Sequence, residues 1–398
     1  MTFCALSSAK GMDIKMKKAK KCLSLLISAI MVASLAACAG NPSSSTETKG
    51  ETQAADAAGT KVAIITSSGV DDGSFNENCY DGISKFVDEN EGASVNAIKE
   101  PDLSKSIQAI EDTIADYDVL VLPGFNYAAC ADIATANPDK SIILVDSAPT
   151  DSEGNEVTVD NVYSMTFSEQ EPGFLAGVAA ALETKTGKVA VVNGVAYPSN
   201  VNYQYGFESG VNYAVKHLGA TAECVEIASY SGTDVTGTNV GGNYVGAFDD
   251  VETGKILGNA LIDMDVDIIY VAAGSSGNGV FTAAKEAGDV FCIGCDVDQF
   301  DDGVNGDANI ILTSSLKIMD VNVYKQLNLI KDGEFKGVND ILGAAQDSIG
   351  IVTEEGRQQL SDETIGTLND VYELIKKGDI APASNFNGYL PEDFPGLN

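Results

Sequence analysis

KVAIITSSGVDDGSFNENCYDGISKFVDE, from Lys61 to Glu89, holds a short apolar β-rich run (Lys61–Thr66), a loop, and then a stretch with helical spacing (Phe75–Glu89). Outward from it the alternation continues. Ala93–Ile98, Val119–Leu122 and Ser141–Asp146 read as strands, with helical stretches at Ser104–Ala115 and Ala128–Ala136 between them. Farther along, Gly187–Asn193, Thr221–Ile227, Ile268–Ala272 and Val290–Gly294 read as strands. Gly206–Leu218, Gly254–Met264 and Gly279–Ala287 read as the helices among them. Alternating β and α units predict an α/β protein with parallel sheets covered by helices on both faces. Residues 61–398 are enough for two such sheets. A ligand is then expected in a cleft at the carboxyl ends of the strands.

Charge narrows the partners. The chain has 24 Lys and Arg against 58 Asp and Glu, a formal charge of −34. Six of the lysines and one aspartate precede residue 38, so the remainder carries −39. Such a surface repels phosphate backbones, and nucleic-acid binding is not expected. The single histidine, His217, leaves almost no imidazole chemistry.

The leader is basic and then apolar. Lys15–Lys21 forms a positive n-region and Leu23–Val32 an apolar run too short to span a bilayer, the layout of a secretory signal. It ends in Leu35-Ala-Ala-Cys38, similar to the lipobox of bacterial lipoproteins, in which the Cys thiol is acylated. Residues 1–37 are therefore expected to be a lipoprotein signal peptide, and Cys38 the lipid (palmitate) site. Ala39–Thr60, rich in Ser, Thr, Gly, Ala and Glu, completes a flexible tether over 38–60. The expected location is the cell membrane, lipid-anchored, on its extracellular or periplasmic side.

Cys79, Cys130, Cys224, Cys292 and Cys295 remain beyond the leader, an odd and sparse set that indicates no disulfide framework. Cys292-Ile-Gly-Cys295 lies in the apolar run Val290–Val297 and reads as strand rather than as a redox pair. Gly274-Ser-Ser-Gly-Asn-Gly279 has the wrong order for a dinucleotide fingerprint, and Asp296–Asn309 lacks the ligand set of a calcium loop. No metal, cofactor or catalytic residue is expected.

Several blocks resemble the basic membrane protein family, lipoprotein components of ABC transporters of the purine nucleoside receptor type. They are Val70-Asp-Asp-Gly-Ser-Phe-Asn76, Phe167–Lys188, Pro198–Gly210, Ala272–Val280, Ile293–Gln299 and Leu312–Lys317, in family order. The resemblance implies a type I periplasmic-binding-protein fold: two doubly wound parallel-sheet lobes joined by three crossover segments. The crossings would fall near Tyr163–Ser168, Asp296–Phe300 and Gly333–Asp340. That gives residues 61–165 plus 298–332 to lobe 1 and 166–297 plus 333–398 to lobe 2. It also implies a monomer that captures a nucleoside, purine by family habit, for an ABC permease and ATPase. The competing reading is a binder of another small solute, a sugar or an autoinducer-like molecule, that serves a membrane sensor.

The same resemblance implies the site. Phe75 and Tyr203 fall where the family stacks the base, and a stacked aromatic is worth about 1–3 kcal/mol whichever base it meets. Asp296 and Lys317 suit a ribose diol. Asn76 is either a ligand or a helix cap, and Gly274 either admits the sugar or makes a simple turn. Asp249 and Asp250 after Phe248 match either the family's F-x-D segment or an acidic loop. At Thr66 the family has an acidic residue directed at the base edge, so base preference is expected to depart from the family's, towards pyrimidine or broader selectivity.

Overall fold

The computed structural model describes residues 59–398. The leader, Cys38 and the tether up to residue 58 lie outside the described residues. No helix among the described residues is long and apolar enough to cross a membrane.

The first half winds β1 (Lys61–Thr66), α1 (Phe75–Glu89), β2 (Ser94–Lys99), α2 (Ser106–Thr113), β3 (Val119–Pro123), α3 (Ala131–Ala136), β4 (Ser141–Val145) and β5 (Val162–Phe167). The second half runs α4 (Gln170–Glu183), β6 (Lys188–Asn193), α5 (Pro198–His217), β7 (Glu223–Cys224) and a small hairpin of β8 (Gly232–Thr233) and β9 (Asn239–Gly241). It continues through α6 (Val251–Ile262), β10 (Ile268–Ala272), α7 (Gly277–Ala287), β11 (Phe291–Gly294), the short pair β12 (Val304–Asn305) and β13 (Ala308–Asn309), and β14 (Ile311–Lys317). The chain closes with α8 (Met319–Lys331), β15 (Val338–Leu342), β16 (Ile349–Ile351) and α9 (Asp362–Lys377).

Two six-stranded sheets result, in the orders β15-β5-β4-β3-β1-β2 and β16-β14-β11-β10-β6-β7. Pairing is parallel throughout the first. In the second only β14–β16 is antiparallel. Strands such as Val119–Pro123 and Ile268–Ala272 are buried along their whole length, which is why they read as unbroken apolar runs. This is the α/β architecture of type I solute-binding proteins.

The sheets require a correction to the expected lobe boundaries. The first crossing is at Ser168–Glu169, between β5 and α4, at the end of the expected segment. The second is at Ile318 rather than Asp296–Phe300, because β14 pairs with β11 in the second sheet before α8 returns to pack on α1. The third is at Gly343–Ser348 rather than Gly333–Asp340, because β15 pairs with β5 in the first sheet. Residues 298–317 thus belong with the second sheet and 338–342 with the first.

One close packing positions the site. A Cβ at Gly177 would lie 2.1 Å from the Phe207 carbonyl oxygen, and one at Gly210 would lie 2.1 Å from that of Phe174. Glycine on both helices lets α4 and α5 touch backbone to backbone. That contact fixes Glu169, just before α4, against Asn202 and Tyr203 of α5.

Candidate functional site

A cleft opens between the two sheets. The walls come from strand ends and the segments that follow them: Ser67, Ser68 and Asp72 after β1, Phe125 and Asn126 after β3, Asp146 after β4, Tyr197 and Asn200 after β6, Gly274 after β10 and Asp296 after β11. Lys317 is the last residue of β14. This is where an open parallel sheet leaves side chains and backbone groups uncommitted.

The floor is ionic. Lys317 Nζ donates to Asp146 Oδ2 at 2.7 Å and to Oδ1 at 3.0 Å, a two-pronged pair that joins the two sheets. Asp296 Oδ1 is 3.6 Å and Glu169 Oε1 3.8 Å from the same nitrogen. The Lys317 side chain is only 1% exposed. Burial, the largest single influence, disfavours its charge, but Asp146, Asp296 and Glu169 together outweigh it and raise its pKa above the usual lysine value. Asp146 and Asp296 both hold positive φ, 63° and 72°, an uncommon conformation for a non-glycine residue that turns each carboxylate off its strand end. Tyr203 donates its hydroxyl to Asp296 Oδ1 at 2.7 Å, and Ser74 Oγ lies 3.3 Å from Asp296 Oδ2. Burial holds the Tyr203 phenol well above its usual range, so it remains a donor.

The mouth is aromatic. Phe75 and Phe125 line it from the first sheet, and Tyr197 and Phe248 from the second. All four rings are half-buried. Tyr197 bridges the lobes, its ring centroid 5.5 Å from that of Phe125 and 6.0 Å from that of Phe248. Gly274, with φ +53°, bends the chain against Phe248, where a Cβ would lie 3.3 Å from the Phe248 carbonyl oxygen. Its backbone thus holds an aromatic wall in place.

Of the residues expected from the sequence, the cleft brings together Phe75, Asn76, Tyr203, Gly274, Asp296 and Lys317. Two need correction. Thr66 does not line the cleft: it is buried, and its hydroxyl accepts from the Gly69 N–H at 3.1 Å, tying the loop after β1. Tyr203 is no open stacking wall. It is 3% exposed, its ring packs edge-on against Tyr270 and near the Lys317 ammonium, and what it offers is a hydroxyl already given to Asp296. Asn76 is not the cap of α1. Asp72 fills that role, accepting the N–H groups of Ser74, Asn76 and Glu77. Both Asn76 amide bonds, at 2.8 Å, go to Ser68 and Asp72. Asp250 caps α6 through the Thr253 N–H. Phe125, Tyr197, Phe248, Asp146 and Glu169 had no role in the sequence expectations. Asp146 carried a signal, being an acid after an apolar strand as Asp296 is, and Phe248 opened the F-x-D match without being given a role.

The cleft has the geometry of a receptor. Among the described residues no group of His, Cys, Asp and Glu is arranged to hold a metal ion. His217 lies away from the cleft, its Nε2 2.8 Å from the Leu397 carbonyl oxygen.

Comparison with known proteins agrees. The family model described as "ABC transporter substrate-binding protein PnrA-like" matches residues 59–225 and 237–384. A CD4+ T-cell-stimulating antigen of Listeria monocytogenes is 28% identical over 340 residues, covering 80% of this chain and 87% of that protein. The ABC transporter nucleoside-binding protein BmpA of Lactococcus lactis subsp. cremoris is 29% identical over 336 residues, covering 79% and 86%. Among solved structures, an ABC transporter solute-binding protein from Aeropyrum pernix K1 superposes with a TM-score of 0.70 at 23% identity, covering 83% of this chain and 94% of that one, a likeness of fold. With a two-sheet cleft and a family match over nearly all the described residues, this chain belongs to the PnrA-like family of ABC transporter substrate-binding proteins, which deliver solutes to a permease and ATPase and are not enzymes.

Proposed function

We propose that this protein captures nucleosides, with the base held at the aromatic mouth and the sugar at the ionic floor. The observation that carries this reading is the pairing of chemistries in one cleft: four half-buried rings from both lobes above Asp296, Asp146 and Lys317. A planar base gains about 1–3 kcal/mol for each aromatic face it meets. A ribose diol suits a carboxylate acceptor beside an ammonium donor, where each charge-assisted hydrogen bond contributes roughly 1.5–3 kcal/mol. Around the base edge stand Ser68, Asp72, Asn76 and Asn126. The amide nitrogen of Asn76 is already given to Ser68 and Asp72 and that of Asn126 to Ser106, so what these two amides offer a base is chiefly their carbonyl oxygens.

The protein works as a lipid-anchored monomer outside the cytoplasm. This rests on the Leu35–Cys38 lipobox, with Cys38 as the acylated residue, and on the family's extracytoplasmic setting. Lobe closure over the solute hinges at the three crossings.

The test is titration calorimetry with adenosine, guanosine, inosine, cytidine, uridine and ribose. At least one nucleoside binds far better than ribose. If ribose or another free sugar binds best and every nucleoside fails, the receptor stands and the nucleoside reading falls.

A further inference from the structure

Glu169 sits at the first crossing, its side chain 3% exposed. Its Oε2 accepts from Asn202 Nδ2 at 2.9 Å, and Asn202 Oδ1 accepts the N–H of Asn385 at 2.8 Å, so the carboxyl is fixed from behind by α5. Its Oε1 stands 3.8 Å from Lys317 Nζ, too far for a hydrogen bond. The groups that face it are Asp146 from the end of β4, Lys317 from β14, Asp296 from the end of β11, and Asn202 and Tyr203 from α5. The set therefore holds three carboxyls and one cation, each side chain at most 11% exposed.

Three full negative charges on one ammonium are too many for a site this dry. Like charges at such range drive one carboxyl to take a proton, and an uncompensated buried charge is strongly destabilising. Asp146 holds the ammonium by two short bonds, and Asp296 accepts from Tyr203 and lies closer to Lys317 than Glu169 does. Glu169 has the longest approach to the cation and the least to lose.

We propose that Glu169 is a positioning residue of the binding site that carries a proton in the ligand-ready protein, leaving Lys317 to Asp146 and Asp296. Burial, and after it the Asp146 charge, pushes its carboxyl up to about 8, against the opposing pull of Lys317 and Asn202. Once the proton leaves, Glu169 competes for the ammonium from the side opposite the ligand. Glu169 lies in the first crossing and Lys317 beside the second, so the change in charge is felt where the lobes turn. Ligand affinity should fall as pH rises above neutrality.

The affinity arm rests on the nucleoside reading; the spectroscopic arm does not. Infrared spectroscopy of the ligand-free protein in D₂O should show a protonated-carboxyl C=O band at pH 7 that disappears as pH passes about 8. Burial also raises Glu171 to about 7 and Glu208 to about 8. The band is therefore read in a Glu171→Gln/Glu208→Gln background, where it should persist at pH 7 and where adding Glu169→Gln should remove it. In calorimetry with adenosine, Kd of the wild type should rise about tenfold between pH 7 and pH 9, as expected for one required proton, and that of Glu169→Gln should stay nearly flat. Absence of the band at pH 7, or equal losses of affinity in both proteins, would overturn the proposal. If adenosine and the other nucleosides do not bind at pH 7, the nucleoside reading fails, and the band alone decides for or against the proton. Should Glu169→Gln not fold, the presence or absence of the band in the Glu171→Gln/Glu208→Gln double variant still decides.

Discussion

Replacing Lys317 by Met should destabilise the ligand-free protein, and by an amount that depends on pH. The variant keeps most of the length of the side chain and removes the only cation, among the described residues, within reach of Asp146, Asp296 and Glu169, whose carboxylates lie 2.7, 3.6 and 3.8 Å from Nζ. Breaking one side of a buried ion pair costs about 3–5 kcal/mol, because the remaining charge is left without compensation. With an unfolding entropy of about 2 cal/mol/K per residue, a body of this size should melt roughly 4–7 °C lower. The sign with pH follows from linkage. In the wild type, Lys317 has a folded pKa above its unfolded value of 10.5, so its contribution is fully present below that pH and is constant through the neutral range. In the variant the lowering pull of Lys317 is gone, so burial and the repulsion among the carboxylates raise Asp146 and Glu169 further above their already raised folded values, and the folded state takes up protons as pH falls. The deficit should therefore be largest near pH 8 and shrink towards pH 5. Thermal melts followed by circular dichroism at pH 5, 6.5 and 8 measure it. A deficit under 1 °C, or one equal at all three pH values, would refute the buried-charge argument.

Phe248→Ala and Tyr197→Ala should each weaken nucleosides by roughly 5- to 150-fold while leaving ribose binding within twofold, since each removes an aromatic face worth about 1–3 kcal/mol; calorimetry with adenosine, uridine and ribose reads this, and equal losses for ribose would mean that the rings shape the cleft instead of stacking. Gly177→Ala should lower the melting temperature, because its Cβ would lie 2.1 Å from the Phe207 carbonyl oxygen, whereas Gly366→Ala, inside α9 with nothing within 4 Å, should stabilise by about 1 kcal/mol. Paired urea titrations compare the two, and a Gly177→Ala variant as stable as the wild type would disprove the close α4–α5 contact.

Much of the fold was legible because its signal is local. Phe75–Glu89 has an apolar face at helical spacing, and Ile268–Ala272 is apolar from end to end; both elements have the bounds that the sequence suggests. What failed was non-local. β14 reads Ile-Leu-Thr-Ser-Ser-Leu-Lys, too polar for a central strand by pattern alone. Its hydroxyls are satisfied inside the protein: Thr313 donates to the Val352 carbonyl at 2.6 Å, and Ser315 Oγ lies 2.8 Å from the Tyr270 hydroxyl. Missing that strand displaced the second crossing, and the third with it. Helix α5 was recognised only from Gly206. Its opening residues, Pro198–Tyr205, show no apolar stripe because one side meets the cleft and the other meets α4.

The site divides along the same line. Asp296 and Lys317 were legible through the family resemblance of the blocks that hold them, Ile293–Gln299 and Leu312–Lys317, and Asp296 also as a charge directly after a buried apolar run. The roles of the Tyr197 and Phe248 rings were not, since spacing does not distinguish a cleft aromatic from a core one, and the F-x-D match at Phe248 drew attention to its aspartates instead. The structure adds a relation that neither lobe's sequence contains. Asp146 ends a strand of the first sheet and Asp296 follows a strand of the second, both with positive φ, and both turn their carboxylates to one lysine beside the second crossing. The Lys317–Asp146 pair therefore spans the two sheets at the base of the cleft. Ser74 reinforces the junction by donating to the Cys295 carbonyl at 3.1 Å, as does Gln299 Nε2 to the Gly73 carbonyl at 3.3 Å. A rotation that opened the lobes at their rim could leave these contacts near the axis intact, whereas one that separated the sheets would expose a buried ion pair at a cost of several kcal/mol. The same ions that suit a sugar thus restrict the lobes to hinge motion, so binding and closure draw on one set of residues.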